Sequence, residues 1–257
     1  WHHPGGGVSG DKHWDPAQEG SFDEYLDKVA IPQVKEILTN YGPVCVLWWD
    51  TPNKMMTPER SAKLNELLKL QPGIIHNNRL GGGFKGDTET PEQHIPADGL
   101  PGVDWETCMT MGNSWSYVPN DRYKPADEIV KKLVDIVSKG GNYLLNIGPG
   151  PDGELDPNAY KRLEEIGTWI KVNGEAIYGS RMFTVFSEGD KIRFTQSKDG
   201  HTKYIFFFDF PQDKIVLSKM PFAKNAKVQL LGTNKKIVWK QLEKGVELTI
   251  PAALKAV

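Results

Sequence analysis

Apolar residues near the start of the chain follow a helical spacing and then give way to a short continuous apolar run. Helical spacing extends from Ser21 to Tyr41, where Ser21 and Glu24 form a capping box, and Pro32 is expected to kink or divide the helix. The run Val44–Trp49 has the length of a strand and no polar alternation. Such a run is typical of a parallel strand covered on both faces. We therefore predict a helix, a buried strand and a loop that begins at Asp50.

The same alternation continues as far as Asn173. Thr57 followed by Pro58 is typical of a helix start. The further predicted elements are a helix from Pro58 to Leu70, a strand Gly73–Asn78, a long loop Leu80–Asp104, a strand Trp105–Met111, a helix Pro125–Lys139, a strand Tyr143–Ile147 and a helix Pro157–Asn173. Strands that alternate with helices favour a parallel α/β architecture. Because a closed (β/α)₈ barrel needs more strands than are predicted here, a small open sheet and the C-terminal half of a barrel both remain open.

After Tyr178 the pattern changes to short β-rich segments separated by turn residues. The predicted strands are Lys191–Gln196, Tyr204–Phe208, Ile215–Leu217, Ala226–Leu231, Lys236–Lys240 and Val246–Ile250. Short strands at this spacing are the pattern of an antiparallel sandwich. We therefore predict a domain boundary near residue 180, with an α/β domain over residues 1–179 and a β-sandwich over residues 180–257.

Composition and charge narrow the range of partners. The chain has 257 residues, a net charge of −2 and no basic stripe, so a nucleic acid is not an expected partner. No apolar stretch approaches the ~20 residues of a membrane-spanning helix, so no membrane span is expected. Cys45 and Cys108 both lie in apolar runs, which predicts two buried free thiols rather than a disulfide.

Asp50 is the first candidate for chemistry. It directly follows a predicted parallel strand, and catalytic groups collect at the C-terminal ends of such strands. Trp48 and Trp49 place aromatic faces beside this carboxylate, as a sugar site requires. An Asp that merely starts a turn before Pro52 is the competing interpretation.

The loop Leu80–Asp104 is the second candidate region, because loops of this length in compact domains are usually functional or disordered. It offers Asp87, Glu89 and Glu92 as possible second carboxylates, and solvated loop charges are the alternative. After the next strand, Trp115 and Tyr117 suit either a sugar-stacking platform or packing at the rim.

Several other chemistries are not expected. The histidines His2, His3 and His13 match no metal-ligand spacing, so we predict no metal and no organic cofactor. Gly81-Gly82-Gly83 lacks the Lys-Ser/Thr of a phosphate-binding loop, and no Ser or Cys lies in a nucleophile elbow.

A series of motifs is much more specific than these patterns. In chain order they are Trp14-Asp15-Pro16-Ala17-Gln18, Asp23-Glu24-Tyr25, Pro32-Gln33-Val34-Lys35-Glu36, Asn40-Tyr41-Gly42-Pro43, Leu47-Trp48-Trp49-Asp50, Asn77-Asn78-Arg79, Thr90-Pro91-Glu92-Gln93, Ser138–Pro149 and Asn173–Gly179. In this order they resemble the retaining α-L-fucosidases of glycoside hydrolase family 29. The resemblance covers nearly all of residues 1–180, and the β-rich tail fits the C-terminal β-sandwich of that family.

The resemblance implies an exo-glycosidase that removes terminal α-L-fucosyl residues from oligosaccharides or glycoconjugates through a covalent fucosyl-enzyme. Asp50 matches the nucleophile. Glu92 matches one placement of the acid/base and Glu106 another, with Asp87 or Glu89 as further alternatives; Glu92 is preferred because its loop lies above the mouth of a barrel. By the same resemblance, Arg79 contacts the sugar, and Trp48 and Trp115 line the pocket.

One departure from the family concerns the start of the chain. The earlier barrel strands of the family bring histidines, including a His-His pair, and none of that region precedes Trp1. We therefore expect the C-terminal half of a (β/α)₈ barrel followed by the sandwich, with the missing half in the same or a companion chain. A catalytically inactive fucose-binding protein and an inactive fragment of the enzyme are the alternatives. Family analogy suggests a periplasmic or secreted setting.

Overall fold

A computed structural model describes residues 20–50, 55–211, 213–233 and 235–251. The chain forms two compact units, one of residues up to Thr90 together with Val103–Trp105, the other of Pro91–Gly102 together with the chain from Glu106 onward. The histidines His2, His3 and His13, the first motif at residues 14–18 and the loop residues 51–54 lie outside the described part.

The first unit begins with the predicted helix, which has three parts: α1 (Phe22–Tyr25), a π-helical turn (Leu26–Ala30) and α2 (Ile31–Asn40). Ser21 caps its start by accepting a hydrogen bond from the Glu24 N–H. The π turn lies just before Pro32, which has no N–H to donate to the preceding turn. Helix α3 (Pro58–Leu67) is capped by Thr57 as predicted, and a 3₁₀ turn (Leu68–Leu70) extends it.

The strands of the first unit are very short. Strands β1 (Val46–Leu47) and β2 (Ile75–His76) pair in parallel, and β3 (Thr88–Glu89) pairs in parallel with the first two residues of β4 (Asp104–Thr110). Strand β3 lies within the segment predicted as a loop. An apolar core of Phe22, Leu26, Leu64 and Leu80 holds the helices of this unit together.

The prediction that the run Val44–Trp49 is buried on both faces is wrong. Val46 and its partner Ile75 are 49% and 47% exposed, and Cys45 is exposed. The exposure arises because the described part of the chain leaves this face of the strand pair uncovered. Both cysteines are free, as predicted, but only Cys108 is buried.

The second unit contains the remaining α/β elements. Residues Glu106–Thr110 of β4 pair in parallel with β5 (Asn142–Asn146). The amphipathic helix α4 (Ala126–Ser138) and helix α5 (Pro157–Asn173) match the predicted helices to within a residue. Their apolar faces and β5 enclose a core that includes Met111, Ile129, Ala159 and Ile166.

Two antiparallel sheets follow in the same unit. One has the order β6 (Ser180–Glu188), β7 (Ile192–Ser197), β8 (Lys203–Phe207); the other has the order β10 (Val238–Gln241), β11 (Val246–Thr249), β9 (Lys214–Leu217). Buried side chains from both sheets form one core, including Phe183, Phe194, Leu217, Val246 and Leu248. The arrangement is that of a β-sandwich. Strand β6 was not predicted, and the strand predicted over 226–231 is absent there, where only Gln229 bridges to Lys236.

Helix α4 is joined to the sandwich by largely buried ion pairs. The Asp135 carboxylate accepts hydrogen bonds from Arg193 Nε at 2.5 Å and from Lys139 Nζ at 2.8 Å. Lys139 also lies over the Phe186 ring, and Arg193 over Phe208. The predicted boundary near residue 180 therefore falls inside one compact unit. Of the helices in the described part of the chain, none combines the length and apolar character that crossing a membrane requires.

Candidate active site

In the first unit, Asp50, Arg79 and Trp48 form one cluster at the carboxyl ends of β1 and β2. Asp50 has a side chain that is 60% exposed, and its Oδ1 lies 3.3 Å from Arg79 Nη1. Arg79 is only 16% exposed, and its guanidinium carbon lies 4.7 Å from the centre of the Trp48 ring. The cluster thus presents an accessible carboxylate beside a largely buried cation and an indole.

Arg79 is held from several sides. Its Nε donates to Thr90 Oγ1 at 2.8 Å, and its Nη2 donates to the Thr90 carbonyl at 3.1 Å. Thr90 Oγ1 donates in turn to Asn78 Oδ1, whose amide also donates to the Glu89 carboxylate. Because these bonds connect the turn at Asn78 with Glu89 and Thr90 at the end of β3, the guanidinium has little freedom to move away from Asp50.

Asn77 and His76 fix the chain on the other side of the carboxylate. Asn77 is fully buried; its Oδ1 accepts from the Trp49 N–H at 3.0 Å, and its Nδ2 donates to the Trp49 carbonyl at 2.8 Å. The Trp49 indole donates to His76 Nδ1 at 3.2 Å. The residue directly before Asp50 is therefore bound through both its backbone and its side chain.

Asp87 and Glu89, two of the candidate carboxylates, bind the segment around Arg79. Asp87 accepts from the His76 N–H at 2.9 Å, and its own N–H donates to the His76 carbonyl at 2.7 Å. Glu89 accepts from Asn78 Nδ2. Both carboxylates hold the loop that carries Arg79, which makes them weaker candidates for an acid that must reach a substrate.

In the second unit, Glu92 lies beside β4. It forms a parallel bridge with Cys108, two residues further toward the C-terminal end of β4 than Glu106. Glu92 is exposed, whereas Glu106 is half-buried and pairs with Asn142 at the start of β5.

Gln93 attaches the Glu92 segment to the end of β4. Its Nε2 donates to Thr110 Oγ1 at 3.2 Å, and its Oε1 accepts from the Thr110 N–H at 3.4 Å. Gln93 has φ = 57°, a left-handed conformation that is uncommon for a residue other than glycine. Lys124 Nζ donates to the carbonyls of Thr110 and Gly112, and burial lowers the pKa of its ammonium.

Trp115 lies on a loop that Asp121 organises. The Asp121 carboxylate accepts from the N–H groups of Asn113 and Ser114 and presses against Gly112, where a Cβ would be only 2.2 Å from its Oδ2. Trp115 is exposed. An exposed aromatic face on a loop that is held by hydrogen bonds is suited to contact with a sugar ring.

Two further features bear on the chemistry. Within the described ranges, no group of three or more His, Cys, Asp or Glu side chains could hold a metal ion.

A pocket lined by residues such as Val44, Cys45, Gly73 and Ile74 lies where β1 and β2 begin, at the opposite ends of these strands from Asp50 and Arg79. We therefore do not assign it to the chemistry of Asp50.

Comparison with known proteins identifies the family. Residues 8–175 match the family model described as alpha-L-fucosidase, and residues 187–257 match the one described as alpha-L-fucosidase C-terminal domain. The chain belongs to the α-L-fucosidase family. The resemblance to glycoside hydrolase family 29 is thereby confirmed.

Relatives and solved structures agree with this assignment. The chain is 31% identical to an alpha-L-fucosidase of Dictyostelium discoideum, covering 88% of this chain and 50% of the relative, and 32% identical to the tissue alpha-L-fucosidase of Mus musculus, covering 86% and 52%. The structure of alpha-L-fucosidase isoenzyme 1 from Paenibacillus thiaminolyticus matches with a TM-score of 0.83 and 32% identity, covering 98% of this chain and 66% of that one. A family 29 alpha-L-fucosidase from Bacteroides thetaiotaomicron matches with a TM-score of 0.78 and 26% identity, covering 90% and 58%.

These matches establish an α/β catalytic part followed by a β-sandwich. The chain spans about half the length of the curated relatives it matches.

Asp50, Arg79 and Trp48, which the sequence predicts as site residues, lie together in the structure. Glu92, Glu106 and Trp115 belong to the other compact unit. The roles of Asn77, Gln93, Thr90 and Asp121 were missed. Asn77, Thr90 and Gln93 belong to the motifs shared with the family. Their hydrogen-bond partners depend on strand register, which the sequence does not reveal.

Proposed function

We propose that this chain carries the nucleophile and the acid/base of a retaining exo-α-L-fucosidase. The observation that carries the proposal is the accessible Asp50 carboxylate held beside Arg79, whose Nε and Nη2 donate hydrogen bonds to Thr90. An ionised carboxylate of fixed direction is what attack on an anomeric carbon requires. Family membership supplies the substrate class, terminal α-L-fucosyl residues of oligosaccharides or glycoconjugates.

The proposed reaction has two steps. Asp50 forms a bond to the anomeric carbon of fucose while the glycosidic bond breaks and the acid gives a proton to the leaving oxygen. In the second step the acid of the first step acts as a base. It takes a proton from water, which attacks the anomeric carbon and releases Asp50. Arg79 orients the Asp50 carboxylate for attack in the first step and accepts it back beside the guanidinium when it leaves in the second.

Trp48 constrains where the sugar lies. Since the Arg79 guanidinium covers one face of the Trp48 ring, fucose would meet the edge or the opposite face. An indole that is stacked on a cation is held in place, which favours a fixed apolar wall for the methyl group of fucose. Trp115 is proposed as a second aromatic contact.

Glu92 is the proposed acid/base and Glu106 the alternative. Glu92 is exposed and level with Cys108, closer to the C-terminal end of β4, where the catalytic groups of parallel α/β proteins are found. Glu106 lies near the start of the strand and pairs with Asn142. Asp87 and Glu89 hold the Arg79 loop instead.

The α/β part is proposed to be the C-terminal half of a (β/α)₈ barrel, with a domain boundary near residue 180. The parallel pairs β1–β2, β3–β4 and β4–β5 support this architecture. Half-exposed Val46 and Ile75 are apolar side chains of the kind that a further barrel element covers. The remaining half is proposed to come from the same or a companion chain.

Covalent trapping with a fluorinated fucosyl probe, followed by peptide mapping, tests this function in the natural full-length polypeptide. We expect the label on Asp50, with none in an Asp50→Asn variant that unfolds at the same temperature. Labelling of another carboxylate would overturn the assignment of the nucleophile. No label on the folded polypeptide, together with binding of fucose, would favour the inactive fucose-binding alternative, and absence of both would contradict a fucoside site altogether.

A further inference from the structure

The Asn77 side chain makes an unusual pair of contacts. It is fully buried, and both ends of its amide bind the backbone of one residue, Trp49: the oxygen accepts at 3.0 Å and the nitrogen donates at 2.8 Å. Trp49 is the residue before Asp50. A buried amide whose N–H and C=O groups are both hydrogen-bonded costs little free energy to bury. It also restricts the movement of the backbone that it binds, here that of Trp49.

The strand register explains why a side chain is needed here. Regular pairing of β1 with β2 ends at Leu47 and His76, so the backbone around Trp49 lies beyond the ladder. An asparagine amide carries the same N–H and C=O groups as a peptide unit. Asn77 therefore continues the ladder past its last backbone pair, at the point where the chain turns toward Asp50.

The same side chain also reaches Arg79. Its Oδ1 lies 3.4 Å from the Arg79 N–H and accepts from it, as well as from Trp49. One oxygen thus links the residue before the carboxylate to the residue that carries the guanidinium. This shared acceptor therefore connects the backbones on the two sides of the Asp50–Arg79 pair.

The backbone of Asn77 is fixed in turn by Gly86. A Cβ on Gly86 would lie 2.3 Å from the Asn77 carbonyl oxygen, and Gly86 has φ = 69°. Only glycine allows this approach without strain. Asn77 is therefore held on its backbone side and binds Trp49 and Arg79 on its side-chain side.

From this geometry we infer that Asn77 is a positioning residue that sets the direction of the Asp50 carboxylate relative to Arg79. The inference rests on the proposed function. Asn77 touches no reacting atom in this arrangement; it acts through the backbone of Trp49. Small displacements of a nucleophile have large kinetic effects, so its loss should reduce the first chemical step far more than sugar binding.

The test compares Asn77→Ala and Asn77→Asp with Leu38→Ala in the natural full-length polypeptide. Asn77→Asp keeps the volume but, when ionised, does not donate to the Trp49 carbonyl. Leu38 is buried in α2, outside the cluster, and its truncation provides a control that lowers stability. The readouts are kinact and KI for the fluorinated fucosyl probe, kcat and KM for an aryl α-L-fucoside, and Tm.

We expect both Asn77 variants to lose about 100-fold in kinact and kcat, while KI and KM change less than about 3-fold. Leu38→Ala should keep kinact within about 3-fold at an equal or larger loss of Tm. Wild-type kinact in a folded Asn77 variant would overturn the inference. Equal losses in Leu38→Ala at matched Tm would also overturn it, since the role would then be structural only.

The two variants protect the test against misfolding. If Asn77→Ala does not fold, Asn77→Asp, which leaves no cavity, still decides between the outcomes. An unmodified polypeptide that neither hydrolyses fucosides nor takes the label would refute the proposed function, and this inference with it. Activity in the unmodified polypeptide that is undiminished in the Asn77 variants would refute this inference alone.

Discussion

The C-terminal sandwich and the segment that carries Asp50 are held together in different ways. In the sandwich, β10 and β11 pair through four residues each, and side chains such as Phe194, Leu217 and Val246 are wholly buried. Strands β1 and β2 pair through two residues each and leave Val46 and Ile75 half-exposed. Backbone ladders and apolar burial stabilise the first region, whereas side-chain hydrogen bonds fix the second.

This difference indicates that the geometry of the candidate site is separable from the stability of the fold. The bonds around Asp50 come from Asn77, Arg79 and Thr90, whose loss removes direction more than burial. Substitutions at the candidate catalytic groups should therefore change rates, and substitutions in the sandwich should change the free energy of unfolding.

The largest effect is expected at Glu92. Glu92→Gln removes the proposed proton donor, so kcat/KM for an aryl fucoside with a poor leaving group should fall about 10²- to 10⁴-fold, with little change in Tm. Fucosyl fluoride, whose departure needs no protonation, should be hydrolysed with a much smaller loss in the first step.

Glu106→Gln is the matched control for Glu92. It makes the same chemical change two residues before Cys108, the bridge partner of Glu92 on the same strand. We expect less than about a 3-fold change in kcat/KM, as for a residue outside the chemistry. The role of acid/base would pass to Glu106 if Glu106→Gln lost more activity than Glu92→Gln. In that case the loss in Glu106→Gln should be large for the aryl fucoside with a poor leaving group and small for fucosyl fluoride.

Asp135→Asn tests the opposite region, where α4 meets the sandwich. The substitution leaves the largely buried cations Arg193 and Lys139 without their carboxylate, so the free energy of unfolding should fall by about 2 to 3 kcal/mol. Well below the new Tm, kcat/KM should be unchanged. Asp127→Asn, which breaks an exposed pair with Lys131 on the same helix, should cost less than about 0.5 kcal/mol.

A fall in kcat/KM of folded Asp135→Asn would contradict the separation of site geometry from fold stability. It would mean that the junction with the sandwich, and not only local hydrogen bonds, controls the candidate site. Chemical denaturation and initial rates on the same preparation distinguish the two outcomes.

Arg79→Lys tests whether the hydrogen bonds of Arg79 control the rate at the candidate site. Lysine retains the charge but loses the fork that binds Thr90 and Asp50 together. We expect kcat/KM to fall about 10-fold, the equivalent of one charge-assisted hydrogen bond of about 1.5 kcal/mol. Arg60→Lys is the control, because Arg60 forms a comparable fork with Asp23 away from Asp50; equal losses in both variants would contradict a specific role for Arg79.

The same contrast explains what could be predicted from the sequence. Helices α4 and α5 were predicted to within a residue because amphipathic spacing and end signals are local. Strand β3 was missed because two residues show no periodicity, and Cys45 was wrongly predicted as buried because burial depends on what covers a strand. Asn77 binds a residue 28 positions away, so its role depends on tertiary register.

Glu188→Gln should have the smallest effect, and only on stability. Burial acts to raise the pKa of the Glu188 carboxyl, but hydrogen bonds from the Ser218 hydroxyl and from the N–H groups of Ser218 and Lys219 outweigh it and hold this pKa below its ordinary value. A depressed carboxyl pKa adds stability above the unfolded value near about 4.3, and that stability is lost as the pH falls through the folded pKa.

The variant should therefore be less stable than the wild type by about 1 kcal/mol at pH 7, and this difference should shrink as the pH is lowered from 7 toward 3, with kcat/KM unaffected at pH 7. Thermal unfolding between these pH values provides the measurement, with the exposed Glu243→Gln as control. If the stability difference between the wild type and Glu188→Gln stays constant with pH, the charge of Glu188 does not hold β6 to the turn at Ser218. The sandwich would then depend on its apolar core and backbone ladders alone, which would widen the contrast with the hydrogen-bonded site around Asp50.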